Sequence, residues 1–269
     1  MDAAVFEAFR RLIYDKSGIA LRNGKESMVN ARIAKRMREL GLHDPREYLR
    51  LVREDDSGGE IVRLLDAIST NVTHFYREPQ HFDFLAVCMD EWLRRGERRF
   101  RFWSAAASTG EEPYTMAMTL LEACRGYDAD VKILATDIST RALARARAGI
   151  YAAEKMEKVP PDLRDRYFRR RPADRGAVMY EAKDELRRLV SFCRLNLSET
   201  PFPMKGPMDM VFCRNVMIYF DNDVRRRLLE EIERLLKPGG YLLVGHAESL
   251  TSMLIDFATV KPSIYKKPA

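Results

Sequence analysis

No stretch of the sequence is apolar for long enough to cross a membrane. A transmembrane helix needs roughly 18 or more apolar residues in succession, and no run in the 269 residues approaches that length. The first seven residues, MDAAVFE, also lack the basic region and apolar stretch of a secretion signal. We therefore expect a cytoplasmic protein without direct membrane insertion.

Paired cysteines are missing as well. The four cysteines, Cys88, Cys124, Cys193 and Cys213, are far apart in the chain and form no C-x-x-C motif. A structural zinc site or a disulfide framework needs cysteines in a closer or regular pattern. We expect reduced thiols and no bound metal.

The composition is typical of a folded globular protein. The hydrophobic fraction is 46% and the formal net charge is +6, and a chain of this length is expected to form one or two domains. Arginines occur in clusters, which most often form a solvated face. An acidic partner, either protein or nucleic acid, is the alternative interpretation of these clusters.

Residues 1–76 are predicted to form a helical domain and linker. Apolar residues recur at helical spacing in four segments, near residues 3–16, 24–40, 48–52 and 61–68. Gly41 ends the second segment, and DDSGG at residues 55–59 predicts a turn. No β pattern occurs before about residue 98.

Residues 77–269 are predicted to form an α/β domain, because short apolar strands alternate with helices from residue 99 onward. Strands are predicted near residues 99–106, 131–137, 190–197, 209–214, 240–246 and 264–265, and helices at 112–125, 139–148 and 222–236. The charged, proline-containing segment 152–189 interrupts the alternation. We interpret it as an inserted subdomain with a possible strand at 177–183.

The turn after the first predicted strand carries the most specific information. Residues 102–114, FWSAAASTGEEPY, run from a strand into small residues and then into a helix. Small side chains let a ligand approach the backbone, and the helix start offers free amides. The G-x-G-x-x-G pattern is missing, and Glu111 and Glu112 would repel a pyrophosphate. The turn suits a ligand with a positive group, such as S-adenosylmethionine; taken alone, it could also be a capped helix start.

The second predicted strand ends in Asp137. In folds of this kind an acidic residue at this position accepts hydrogen bonds from ribose hydroxyls. A single aspartate at a strand end is more often a helix cap. Its occurrence after the small-residue turn favours ribose binding.

Four segments of the chain resemble the motifs of CheR chemoreceptor methyltransferases. They are NVTHFYRE at residues 71–78, AAASTGEEPY at 105–114, ATDI at 135–138 and FCRNVMIYF at 212–220. The resemblance extends from the N-terminal helices to the PGG turn at 238–240 and to HAES at 246–249. It therefore covers nearly the whole chain.

The resemblance implies an α/β class I methyltransferase, with a Rossmann-like doubly wound sheet, an all-helical N-terminal domain and a small inserted antiparallel β-subdomain. It implies S-adenosylmethionine as methyl donor and S-adenosylhomocysteine as product. The acceptors would be glutamate side chains in the cytoplasmic helical bundle of transmembrane chemoreceptors, and their methyl esters would serve chemotactic adaptation.

The resemblance also assigns residues to the cofactor site. These are Asn71, Thr73, Arg77, Ala105, Glu112, Asp137, Asn196, Leu197, Arg214 and Asn215. Glu112 would meet the amino-acid end of the cofactor and Asp137 the ribose. Asn196 and Leu197 would flank the adenine. The adjacent Glu111 leaves open which of the two glutamates meets the cofactor.

A glutamate acceptor needs no general base, because its ordinary pKa of about 4.3 makes it a carboxylate at neutral pH. The enzyme must align the carboxylate with the sulfonium methyl group and exclude water. We expect Arg77 and Tyr219 to be the catalytic residues that position the reacting groups. Without the resemblance, Tyr219 would be interpreted as a core aromatic residue.

Two other functions fit parts of the sequence. A nucleic-acid methyltransferase could bind phosphates through the basic N-terminal region, but RNVM at residues 214–217 lacks the Asn/Asp-Pro-Pro-aromatic loop of amino-directed enzymes. A cofactor-binding adaptor would transfer no methyl group, and the presence of Arg77, Asp137 and Tyr219 argues against it. We therefore do not expect a nucleic-acid partner.

The helix predicted over residues 24–40 suggests how the acceptor is recognised. Its apolar residues, from Val29 to Leu40, form one stripe that packs on the helical domain. An adjoining face carries the predicted substrate-binding residues Lys25, Arg32, Lys35 and Arg36. We expect a basic strip that the fold does not need and that complements a glutamate-rich bundle. Ordinary solvated surface is the alternative.

Overall fold

The computed structural model describes residues 1–21, 24–173, 176–248, 250, 253 and 256–269. Asp174 and Arg175 of the predicted insertion and Ser249 of the HAES segment lie outside the described residues. Among the helices of the described part, none combines the length and the apolar character needed to cross a membrane.

The N-terminal part of the chain is helical, as its periodicity predicts. Its helices are α1 (Ala3–Ser17), α2 (Glu26–Glu39), α3 (Pro45–Glu54) and α4 (Gly59–Ile68). Asp2 begins α1 by accepting a hydrogen bond from the backbone N–H of Val5 at 2.8 Å. The helices enclose a core of their own around Phe9, Ile33 and Leu64, each fully buried.

A segment without regular structure, residues 69–79, leads from α4 into a fifth helix, α5 (Gln80–Arg94). This helix is missing from the sequence-based predictions. It buries Phe82, Leu85 and Met89 against the sheet that follows. The domain boundary expected after Tyr76 stays a prediction.

The second part of the chain is built on a seven-stranded sheet in the order β6-β2-β1-β7-β8-β10-β9. The strands are β1 (Arg99–Ser104), β2 (Asp130–Asp137), β6 (Val190–Arg194), β7 (Met208–Cys213), β8 (Leu236–Val244), β9 (Ala258–Lys261) and β10 (Ile264–Lys266). Neighbouring strands from β6 to β8 are parallel, whereas β10 is antiparallel to both β8 and β9. The carboxyl ends of the parallel strands, from β6 to β8, therefore lie at one edge of the sheet.

Helices cover both faces of this sheet, which confirms the predicted doubly wound fold. The face with Phe100 and Phe102 packs on α5 and on α6 (Glu111–Ala123). The opposite face, with Trp103 and Val211, packs on α10 (Asn222–Leu235). The helix α7 (Thr140–Ala148) follows β2, and its Thr140 donates to the carboxylate of Asp66 on α4 at 2.6 Å.

The predicted insertion contains a small antiparallel sheet, as expected. Its order is β3 (Ile150–Ala152), β5 (Val178–Ala182) and β4 (Phe168–Pro172). The predicted strand at 177–183 corresponds to β5, while β3 and β4 are not among the predicted strands. Two short helices, α8 (Pro161–Tyr167) and α9 (Asp184–Arg187), complete this part of the chain, which we call the β-subdomain.

Candidate functional site

A cavity of about 450 Å³ lies where β1, β2 and β7 end, between the sheet and the helical domain. Its wall includes every residue predicted to bind the cofactor: Asn71, Thr73, Arg77, Ala105, Glu112, Asp137, Asn196, Leu197, Arg214 and Asn215. Tyr219 and Lys25 also line it. The structure thus brings together side chains that are up to about 200 positions apart in the sequence.

Asp137 joins the ends of β1 and β2. One carboxylate oxygen accepts the backbone N–H of Ser108 at 2.8 Å, and the other accepts that of Ser139 at 2.8 Å. Ser108 has a φ of 50°, a left-handed conformation that is uncommon outside glycine. Burial raises the pKa of Asp137 although both backbone donors oppose it.

The turn that carries Ser108 is tightly enclosed at Gly110. Its φ is 95°, and a Cβ atom there would come within 2.7 Å of the Tyr151 hydroxyl. That hydroxyl belongs to the β-subdomain and donates to the carbonyl of Thr109 at 2.9 Å. Because no side chain fits at position 110 and its φ lies in the left-handed region, this position of the turn requires glycine.

The two adjacent glutamates of α6 face different surroundings. Glu112 lines the cavity and accepts a hydrogen bond from the Ser104 hydroxyl at 2.7 Å. Glu111 is not among the described residues that line the cavity. Its carboxylate accepts hydrogen bonds from the Thr109 hydroxyl at 2.6 Å and from Lys155 Nζ at 2.9 Å. The geometry therefore favours Glu112 as the glutamate that meets a ligand.

Arg214, directly after β7, lies in the cavity wall, and its side chain is 1% exposed. Its Nη1 donates to Glu112 at 2.9 Å, and its Nη2 donates to Glu78 at 3.0 Å and to the carbonyl of Arg77 at 2.5 Å. Within the described residues its buried Nε has no hydrogen-bond partner. Burial raises the pKa of Glu112, although Arg214 opposes the shift.

Glu248 organises the loop after β7, a role that the sequence reasoning missed. Its carboxylate accepts the backbone N–H groups of Asn215 at 2.6 Å, Gly245 at 2.7 Å and Ile218 at 3.2 Å. Asn215 has a φ of 57°, so this loop is held in an uncommon conformation. Burial raises the pKa of Glu248. Its occurrence in the HAES segment is the only sequence signal for it.

Glu78 is a second acid whose role the sequence reasoning missed. In addition to its contact with Arg214, the Glu78 carboxylate lies 3.5 Å from Nδ1 of His81. His81 is fully buried, and this burial lowers its pKa to about 3. Glu78, His81 and His246 offer ligand atoms within 4.8 Å of one another, a donor set that metals accept. The guanidinium of Arg214 in contact with Glu78 opposes a cation there.

Asn196 is already engaged within the protein. Its Nδ2 donates to the carbonyl of Lys16 at 3.0 Å, and its Oδ1 accepts from the Ser198 hydroxyl at 2.9 Å. The side chain therefore attaches the end of α1 to the loop after β6. A contact of Asn196 or Leu197 with adenine stays a prediction.

Arg77 and Tyr219, the predicted catalytic residues, both lie in the cavity wall. Arg77 Nη1 donates to the carbonyl of Val72 at 2.9 Å. Tyr219 belongs to a 3₁₀ turn, Met217–Tyr219, and its carbonyl accepts the N–H of Ala20 at 2.8 Å. Their catalytic roles stay predictions.

The expectation that the fold does not need the basic face of α2 is wrong for two of its residues. Arg36 forms a two-pronged ion pair with Glu60 at 2.8 and 2.7 Å, and these side chains are 12% and 10% exposed. Arg32 donates to the carbonyls of Ile68 and Ser69 at the end of α4. Both arginines therefore stabilise the helical domain.

Lys25 and Lys35, the other two predicted substrate-binding residues, are exposed, as is Arg38 on the same side of α2. Only Lys25 of the predicted four lies in the described cavity wall. The exposed basic residues here are thus Lys25, directly before α2, and Lys35 and Arg38 within the helix, and the helix ends with the exposed Glu39.

Comparison with known proteins gives two family matches that follow each other along the chain. Residues 4–69 match the family model described as "CheR methyltransferase, all-alpha domain", and residues 71–266 match "CheR methyltransferase, SAM binding domain". The chain is 38% identical over 262 residues to a chemotaxis protein methyltransferase of Escherichia coli K12, covering 97% of this chain and 90% of that protein. It is 42% identical over 260 residues to chemotaxis protein methyltransferase 2 of Pseudomonas aeruginosa, covering 97% and 91%.

Proposed function

Because this chain belongs to the CheR methyltransferase family and is an S-adenosylmethionine-dependent chemotaxis methyltransferase, we propose that it forms methyl esters on glutamate side chains of chemoreceptors. The family implies this acceptor. The observation that carries the proposal is the convergence of Asp137, Glu112 and Arg214 on one cavity.

The residues present fit the cofactor. Each oxygen of the Asp137 carboxylate accepts one backbone N–H and keeps acceptor capacity for the hydroxyls of a ribose. Glu112 offers negative charge to the ammonium group at the amino-acid end. The Nε of Arg214, which has no hydrogen-bond partner among the described residues, offers a buried donor to the carboxylate at that same end.

The reaction needs positioning more than proton transfer. Bound S-adenosylmethionine would supply an electrophilic methyl group. The glutamate carboxylate, already ionised, would accept this group without a general base as the sulfur–methyl bond breaks and S-adenosylhomocysteine leaves. Arg77 and Tyr219, both in the wall, would align the incoming carboxylate. Opposite charges of the reactants neutralise each other as the reaction proceeds, so an enclosed, poorly solvated cavity favours it.

We further propose that the acceptor is the cytoplasmic helical bundle of a transmembrane chemoreceptor, so that the enzyme acts in the cytoplasm. The exposed Lys25 provides positive charge in the cavity wall, and the exposed Lys35 and Arg38 provide more along α2. Such charge would increase the association rate with a glutamate-rich surface and would be screened by salt.

Transfer of labelled methyl groups to receptors tests the proposal. Purified protein is incubated with S-adenosylmethionine labelled in its methyl group and with chemoreceptor-containing membranes from the same organism. We expect label on the receptors that is released as methanol in mild alkali, because esters hydrolyse there and N-methyl groups do not. An Asp137→Ala variant provides the control for cofactor-dependent transfer. Label that survives alkali would rule out a glutamate ester.

A further inference from the structure

Two acceptor atoms face each other beside the cavity, at the start of α5. Nδ1 of His81 lies 3.5 Å from a carboxylate oxygen of Glu78. The His81 side chain is fully buried, and its Nδ1 has no hydrogen-bond partner among the described residues. Buried polar atoms in folded proteins are nearly always paired, so this nitrogen calls for a partner that is not part of the described chain.

The hydrogen bonds around His81 determine which ring nitrogen carries the proton. The hydroxyl of Ser263 donates to the carbonyl of Pro262 at 2.6 Å. Nε2 of His81 lies 2.8 Å from the same hydroxyl oxygen, so in the neutral ring Nε2 carries the proton and donates it. Nδ1 is then an unprotonated acceptor beside the Glu78 carboxylate. Two such acceptors repel each other unless a cation or a donor lies between them.

A second imidazole brings a third acceptor to the same place. His246 follows β8, and its Nε2 lies 4.0 Å from the same oxygen of Glu78. The side-chain amide nitrogen of Gln80 contacts this Nε2, and an amide nitrogen can only donate, so Nε2 is unprotonated. The rings of His81 and His246 lie edge to face, with centroids 5.3 Å apart. We call Glu78, His81 and His246 the His–Glu cluster.

The His–Glu cluster has the ligand types and the spacing of a transition-metal site. Zn²⁺ binds imidazole nitrogen and carboxylate oxygen at about 2.0–2.2 Å, so the ligand atoms of a tetrahedral site lie roughly 3.3 Å apart. The three ligand atoms of the cluster lie within 4.8 Å of one another. The His246 side chain is 47% exposed, so it can move toward Glu78 without disturbing the core. Mg²⁺ and Ca²⁺ prefer oxygen ligands and fit this set less well.

Arg214 opposes a cation at the cluster but does not exclude one. Its guanidinium pairs with two carboxylates, Glu78 at 3.0 Å and Glu112 at 2.9 Å. Because two negative charges face one positive charge, this group of side chains stays negative overall. A dication is therefore attracted to it, with an affinity that the guanidinium reduces.

We propose that Glu78, His81 and His246 form a binding site for a divalent transition metal such as Zn²⁺, beside the cofactor cavity and distinct from it. None of the three is among the described residues that line the cavity. Nδ1 of His81, Nε2 of His246 and one oxygen of Glu78 hold the ion, and water takes the fourth position. The ion connects the start of α5 to the loop after β8. The expectation of no bound metal rested on the cysteine pattern, and this site uses no cysteine.

Zinc binding by the full-length protein tests the proposal. Reduced protein, freed of metal by a chelator, is titrated with zinc sulfate in competition with a chromophoric chelator, and separately with Co²⁺, whose visible absorption reports its ligands. The test variants are His246→Ala and His81→Gln. His43→Ala is the matched control for His246→Ala, because both histidines are exposed, and Cys193→Ser controls for the exposed thiol.

We expect wild type, His43→Ala and Cys193→Ser to bind one Zn²⁺ per chain and to unfold at a higher temperature when zinc is present, because the ion binds the folded state. His246→Ala should weaken zinc binding by about tenfold or more, since one of three protein ligands is lost. His81→Gln, checked for folding by circular dichroism, should weaken it as well. Bound Co²⁺ should show the absorption of an ion with nitrogen and oxygen ligands, without a thiolate charge-transfer band.

Absence of zinc binding by the wild-type protein would overturn the proposal. The same holds if His246→Ala binds zinc as tightly as His43→Ala, or if binding is lost in Cys193→Ser. These measurements use neither the cofactor nor methyl transfer, so their failure would leave the proposed function intact.

Discussion

Arg214 and Glu112 form an ion pair of 2.9 Å in the wall of the cavity, with side chains that are 1% and 12% exposed. Burial by itself raises the pKa of Glu112, whereas the positive charge of Arg214 favours the carboxylate form. The Glu112 carboxylate lies in the cavity wall, where the ammonium group of S-adenosylmethionine would contact it under the proposed function. Removing that charge should weaken the binding of the cofactor.

We predict that Glu112→Gln weakens S-adenosylhomocysteine binding by roughly 1.5 to 3 kcal/mol, since a hydrogen bond to a charged group is lost. Glu111→Gln is the matched control, because Glu111 pairs with Lys155 and lies outside the described cavity wall. Calorimetry on both folded variants measures the difference. Equal losses in affinity, or a larger loss in Glu111→Gln, would assign the cofactor contact differently.

Asp137 gives a second test of the cofactor site. We predict that Asp137→Asn weakens S-adenosylmethionine and S-adenosylhomocysteine alike, by roughly 1 to 3 kcal/mol, because an amide group cannot accept on both sides. Both ligands carry the same ribose, so their affinities should fall together. Asp130→Asn at the other end of β2 is the control, since the Asp130 side chain is 50% exposed and pairs with Arg101. A loss confined to one of the two ligands would contradict ribose binding by Asp137.

The fold could be predicted where its pattern is local. Helices such as α2 and α10 carry apolar residues at helical spacing, and β1 and β2 are short strands that carry most of the buried apolar residues of their segments, so their positions follow from the sequence. The strand β4 could not be predicted in this way. It carries three consecutive exposed arginines, Arg169–Arg171, and its stability comes from pairing with β5 and not from an alternating pattern.

The site could be predicted only in part, for the same reason. Its strand-end residues follow from motifs, but Glu78 pairs with Arg214, 136 positions away, and Glu248 accepts from Asn215, 33 positions away. Arg36 and Glu60 are 24 positions apart, and no helical spacing indicates their pairing. Sequence periodicity shows which face of α2 is polar, whereas only the packed structure shows which of its charges are already used.

The third prediction concerns α2 and compares a charged residue that forms a buried ion pair with one that is exposed. Arg36→Gln should destabilise the protein by on the order of 3 kcal/mol, because it leaves Glu60 without its ion-pair partner in a mostly enclosed position. Lys35→Gln should change the free energy of unfolding by less than about 0.5 kcal/mol, since Lys35 is exposed. Urea unfolding at neutral pH measures both. Similar losses of stability in the two variants would contradict the structural role assigned to Arg36 and the exposed state of Lys35.

The same ion pair predicts a pH dependence. Burial would raise the pKa of Glu60, but hydrogen bonds from Arg36 and Tyr48 outweigh it and lower the pKa below its ordinary 4.5. The stabilisation is therefore complete above this value and is lost as the pH falls through the lower pKa of the folded protein. In urea unfolding, wild type should lose stability below pH 4.5 more steeply than Glu60→Gln. Parallel curves for the two proteins would contradict this assignment.

The last prediction concerns Glu248, whose carboxylate connects the loops after β7 and β8 and so holds the backbone that follows Arg214. Oε2 accepts the N–H groups of Asn215 and Gly245, and Oε1 accepts that of Ile218. Glu248→Ala should lower kcat by about tenfold or more and weaken S-adenosylhomocysteine, because the loop that carries Asn215 and Tyr219 loses its support. Glu248→Gln should recover part of both losses, since its single carbonyl oxygen can still serve two of the three donors. Kinetics, calorimetry and thermal unfolding of the three proteins distinguish a positioning role from a purely structural one. If both variants lost only thermal stability and kept wild-type kcat per folded molecule, Glu248 would have no part in positioning the site.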